Sequence, residues 1–80
     1  MVQYEASVTD GHFKVTYFDN AHAAQVFVEH AGNGSVTKVV DNRATSLWTF
    51  EPDRRWAARS IFGGTAGVLD FVSPTGEVYA

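Results

Sequence analysis

An 80-residue chain with no cysteine excludes disulfide frameworks, thiolate zinc sites and thiol catalysis, which need it. A formal net charge of −3 weighs against a general nucleic-acid binder, which carries a positive surplus to neutralise phosphate unless a local patch supplies it. Hydrophobic residues make up 45% and charged residues 19%, a balance that predicts one folded domain over residues 1–80 rather than disorder. A chain this short buries only roughly 60% of its unfolded surface, so its core has little to spare.

The first segment, "QYEASVT", alternates, with Tyr4, Ala6 and Val8 on one face and Glu5, Ser7 and Thr9 on the other, the period of a strand. Asp10–Gly11 reads as a two-residue hairpin turn, because both positions tolerate positive φ. "HFKVTYF" follows as the second strand, and Phe13, Val15 and Tyr17 are expected in the core beside the apolar face of the first. The period then changes over "DNAHAAQVFVEHAGNG" to a helix at about 20–31. Asp19 or Asn20 can cap its start and Gly32 or Gly34 its end. Ala23, Ala24, Phe27 and Ala31 form its apolar stripe, with Phe27 the anchor, while His22, Gln25 and Glu29 are expected to face water.

"SVTKVV" returns to a strand, "DNRATS" reads as a loop, and "LWTFE" is strand-like through its aromatic and β-branched content. The next stretch, "TFEPDRRWAARSIFGG", supports two structures. As a helix over about 53–62, Asp53 caps it and the glycines stop it, but Trp56 then falls among the arginines. As a hairpin, "PDR" is the loop with Pro52 at the second turn position; Glu51 faces Arg55, Phe50 faces Trp56, and Trp48 faces Ala58. Leaving a tryptophan exposed forgoes about 2–3 kcal/mol of burial, so the hairpin is favoured and the second helix stays the alternative. "GGTAG" reads as a hairpin turn, and "GVLDFVS", "PTG" and "EVYA" close the chain as strand, turn and strand, with Phe71 in the core. The expected fold is α+β: an N-terminal hairpin and a C-terminal meander in a mostly antiparallel sheet, packed by one helix.

Chemistry is sparse. His22 and His30 lie about 12 Å apart along the helix, too far to share a small metal ion, and His12 has no partner fixed by spacing. The carboxylates are scattered, and Asp70, between Leu69 and Phe71, is expected to face water. Ser35 lacks the G-x-S-x-G setting of a nucleophile elbow, and "GGTAG" lacks the lysine of a phosphate loop. No catalytic residue, cofactor or metal is therefore expected.

The remaining feature is the Arg/Trp-rich stretch. Arg54, Arg55 and Arg59 are the candidate partner-binding residues, since arginine and tryptophan are enriched among binding hot spots. Trp48, Phe50 and Trp56 are expected inward, with Glu51 holding Arg55. In size, lack of cysteine and alanine–valine bias the chain resembles small accessory proteins of phages and mobile elements of GC-rich bacteria; that resemblance is compositional and carries no functional residue with it. The sequence thus points to a small cytoplasmic, non-enzymatic module that binds a protein and inhibits or adapts it, with homo-oligomers open. A nucleic-acid module stacking Trp48 or Trp56 on bases is the first alternative, and a small enzyme or ligand-binding domain the second. No apolar run approaches the roughly 20 residues that span a bilayer, and "MVQYEASVTDG" lacks the pattern of a secretory signal.

Overall fold

The computed structural model describes residues 1–61 and 67–79. Among them, six strands and one helix run in the order β1 (Val2–Asp10), β2 (His12–Phe18), α1 (Ala21–Ala31), β3 (Gly34–Val40), β4 (Arg43–Phe50), β5 (Trp56–Arg59) and β6 (Val68–Asp70). All neighbours pair antiparallel in one sheet of order β2-β1-β3-β4-β5-β6. The α+β fold with an N-terminal hairpin, one helix and a C-terminal meander is what forms. No helix among the described residues is long and apolar enough to cross a membrane.

Local chemistry sets the helix ends. The Asn20 side chain accepts a 2.7 Å hydrogen bond from the Ala23 N–H, satisfying a donor with no partner inside the helix. Gly32, at φ +87°, turns the chain out while its N–H bonds the Val28 and Glu29 carbonyls. The helix lies across β1 and β3 and touches β2. Between them sit Ala6, Val8, Ala24, Val28 and Val36, all buried, and Phe50 and Trp56 continue the core along β4 and β5. The approach is tight at Gly34, where an added Cβ would stand 2.3 Å from the Ser7 carbonyl oxygen.

The hairpin register departs from the sequence expectation. A two-residue turn would set Thr9 opposite His12 and Ala6 opposite Val15. Instead Thr9 pairs with Phe13, Ala6 with Thr16 and Tyr4 with Phe18, and Gly11 stands at the apex of a longer turn with φ +74°. Directly opposite residues share a face, so a shift of one residue exchanges the two faces of β2. Lys14, Thr16 and Phe18 point to the helix side. Phe13, Val15 and Tyr17 do not enter the core: they lie on the other face, 71%, 40% and 56% exposed. The shifted register brings Phe18 to the helix, its ring centroid 5.5 Å from that of Phe27.

Two further corrections concern local structure, and one alternative is settled. "DNRATS" is mostly strand. The turn is Asp41–Asn42 alone, both at positive φ, the conformation whose twist suits a two-residue hairpin. A bulge between Lys38 and Val39 then takes up one residue in the pairing. Gln25 and Glu29 do not lie on an open face: Gln25 is buried and Glu29 half-buried, because Thr75 of the segment after β6 bonds Gln25 and Trp56 of β5 bonds Glu29. The helix over about 53–62 does not form, since Trp56–Arg59 is strand β5; Phe62 and most of "GGTAG" lie outside the described residues.

Candidate functional site

The Arg/Trp-rich stretch folds as the hairpin of β4 and β5, with Phe50 opposite Trp56 and Trp48 opposite Ala58. Glu51 and Arg55 close it: the Glu51 N–H donates to the Arg55 carbonyl at 2.8 Å, and the Arg54 N–H to the Glu51 carbonyl at 2.9 Å. The loop is Pro52–Asp53–Arg54. Arg54 takes its left-handed position at φ +64°, where glycine is the usual residue of such a three-residue loop.

Trp56 and Phe50 are buried, their rings 5.0 Å apart. Trp48, Phe27 and Phe71 are half-buried, and Trp48 and Phe27 pack against the core. Alternation along β5 then divides the arginines. Arg55 and Arg59 share the sheet face that α1 leaves uncovered, while Arg54 sits at the loop with its guanidinium 5.3 Å from the centre of the Phe50 ring. Arg54 also borders a depression of about 330 Å³ with Val26, Glu29 and His30.

Arg55 is not held as the sequence implied. Glu51 does not hold Arg55; it pairs with Arg59, whose Nε also donates to Thr49 Oγ1 at 3.0 Å. Arg55 is held by Asp53, through a 2.7 Å bond from Nε to Oδ2 and a 3.1 Å bond from its backbone N–H to Oδ1. The hydrogen bond from the Arg55 side chain holds the Asp53 carboxyl below its ordinary range. The Arg55 guanidinium also lies 4.2 Å from the centre of the Phe71 ring, a cation–π stacking distance. Arg55 and Arg59 are thus each tied to a carboxylate of the same hairpin on one face, while Arg54 sits apart from them at the loop.

Sequence reasoning missed two features. The first is a chain of hydrogen bonds that ends on Glu29. Trp56 Nε1 donates to Glu29 Oε2 at 2.9 Å, and Gln25 Nε2 donates to the same oxygen at 3.2 Å. Thr75 Oγ1 donates to Gln25 Oε1 at 3.0 Å. Ser73 Oγ lies 2.9 Å from Thr75 Oγ1 and accepts from the Glu77 N–H at 3.0 Å. This chain clasps the C-terminal turn to α1 and β5. Nearby, burial foremost, with the charges of Glu77 and Glu29, raises the Tyr79 phenol above its ordinary range.

The second is the uncovered face of the sheet. Phe13, Val15 and Tyr17 of β2 line it beside Glu5 and Ser7 of β1 and Thr37 and Val39 of β3, by register. A shallow depression of about 450 Å³ runs between Gln3, Glu5, Tyr17, Thr37 and Val39. Hydrogen bonding to the Glu5 carboxylate, with its charge, raises the Tyr17 phenol above its ordinary range. The sequence carries little signal for this face: "HFKVTYF" sets Phe13, Val15 and Tyr17 against His12, Lys14 and Thr16, with Phe18 alone to mark the other face as the one that meets the helix.

His12, His22 and His30 are exposed, as is Asp70. Among the described residues, no three His, Asp or Glu side chains gather as they would around a metal ion. No protein-family model, curated protein or solved structure matches the chain.

Proposed function

We propose that the chain is a small protein-binding module whose contact surface is the uncovered face of its sheet along β2. The observation that carries it is the stripe of Phe13, Val15 and Tyr17, exposed together on one strand. Burying such side chains contributes about 1.5–3 kcal/mol each, and aromatic residues are enriched at protein interfaces. A chain this short leaves them outside at a real cost to its own core. The arginines favour the reading less than the sequence suggested, because Arg55 and Arg59 are ion-paired within the molecule. A nucleic-acid role draws little support: the net charge is negative, and Trp56 is buried where it cannot stack on a base.

The test compares capture from source cells by the wild type, by Phe13→Ser with Tyr17→Ser, and by Arg54→Glu. Bound proteins, including untagged copies of this chain, should be lost with the double variant and kept with Arg54→Glu, while the double variant melts within about 4 °C of the wild type, as surface changes do. Capture that survives loss of both aromatic residues, or that fails with Arg54→Glu, overturns the proposal.

A further inference from the structure

The two edges of the sheet are built differently. The β6 edge is guarded: three residues, a bulge between Ala58 and Arg59, a charge at Asp70 and Pro74 soon after. Such devices blunt an edge against further pairing. The β2 edge has none of the structural ones. Its seven residues keep an unbroken register with β1, with no proline and no bulge, and its one formal charge is Lys14. Among the described residues, no strand pairs with its outer side.

We infer that β2 pairs antiparallel with β2 of a second copy of this chain, on a two-fold axis through Val15; the inference rests on the protein-binding reading of the same surface. The strand is close to a palindrome about that residue. Full overlap of His12–Phe18 sets Val15 against Val15 of the partner, Phe13 against Tyr17 and Lys14 against Thr16. On the uncovered face this joins aromatic to aromatic and aliphatic to aliphatic, the cross-strand pairs that stabilise sheets most. No like charges stand opposite each other, and Asp19 of one copy comes close to His12 of the other. Both helices stay on one side, and the two uncovered faces merge into one. The interface is isologous, as in most two-subunit assemblies. A single seam of this length falls below the roughly 1,200 Å² of a standard stable interface, so the dimer is a weak, concentration-dependent one.

The experiment is sedimentation equilibrium from about 1 µM to 1 mM, a range that brackets weak association, on the wild type and on Val15→Lys and Val15→Glu, each checked for folding by circular dichroism. Wild-type mass should rise with concentration toward twice the 8.8 kDa of one chain. Either variant alone places like charges opposite each other on the axis and should associate about tenfold or more weakly. An equal mixture of the two should recover association to within about threefold of wild type, since unlike charges then meet. A wild type that stays monomeric throughout, variants that still dimerise, or a mixture that fails to recover overturns the inference. A monomeric wild type that captures another protein through Phe13 and Tyr17 overturns the self-pairing alone and leaves the binding-module reading standing. A monomer that captures nothing removes both.

Discussion

Trp56→Phe removes the single polar atom of a fully buried side chain. The indole N–H donates to Glu29 at 2.9 Å, and hydrogen bonds to charged groups contribute about 1.5–3 kcal/mol net. Glu29 is half-buried and keeps Gln25 as a second donor, so the lower part of that range applies, about 1.5–2 kcal/mol. The smaller ring also loosens the contact with Phe50. Truncation to alanine costs about 3–5 kcal/mol, and losing one ring of two about a quarter of that. The expected loss is about 3 kcal/mol, against a total of about 4–12 kcal/mol for a domain of this length. The melting temperature should fall by about 12–24 °C. The assay is thermal and urea unfolding followed by far-UV circular dichroism, with Glu29→Gln completing a double-mutant cycle. Glutamine keeps an acceptor oxygen without the charge, so the double variant should lose about 1 kcal/mol less than the sum of the single ones. A fall below about 4 °C, or additivity within about 0.3 kcal/mol, refutes the assigned bond.

Gly34→Ala should destabilise by more than about 2 kcal/mol, because the added methyl meets the Ser7 carbonyl at 2.3 Å in a backbone conformation at φ +140° that side chains rarely adopt; an unchanged urea midpoint would show that β1 and β3 can part without cost. Asp53 should titrate below an ordinary aspartate when its carboxyl is followed by NMR, since Arg55 lowers its folded value. Its contribution to stability is then present above the unfolded value of about 3.9 and disappears as the pH falls through the lower folded value. Arg55→Gln should return the midpoint toward that of an unpaired aspartate, and a midpoint that does not move would assign the shift elsewhere.

Local signals were legible where one residue type has one physical use. Asn20 and Gly32 bound the helix as capping chemistry requires, and Pro52 opens the loop that places Trp56 against Phe50. The hairpin register was not legible. Asp10–Gly11 is compatible with both a two-residue and a longer turn, and the choice depends on whether Phe18 or Tyr17 reaches a helix that is distant in sequence. That single ambiguity decides whether Phe13, Val15 and Tyr17 are core or surface. Glu29 was hidden for a similar reason. Helical periodicity places it on the polar side, but nothing local to α1 shows that Thr75 and Trp56 come from elsewhere in the chain to cover that side. The arginine pairings follow the same pattern: on the strand, Glu51 lies opposite Arg55, yet the longer reach to Arg59 is the one taken.

The clasp that ends on Glu29 also orders events in time. Gln25 and Thr75 are separated by 50 positions along the chain, and Trp56 and Glu29 by 27, whereas the β1–β2 and β4–β5 hairpins close over a few residues. Closing long loops costs entropy that is recovered only once the contact is complete, so the clasp is expected to form after the barrier to folding, which refolding and unfolding rates of Thr75→Val would test. Contacts made that late leave the folding rate nearly untouched and act on the rate of escape from the native state. In this small domain a few hydroxyl and amide groups at Ser73, Thr75 and Gln25 would therefore govern how long each molecule stays folded more than how readily it folds.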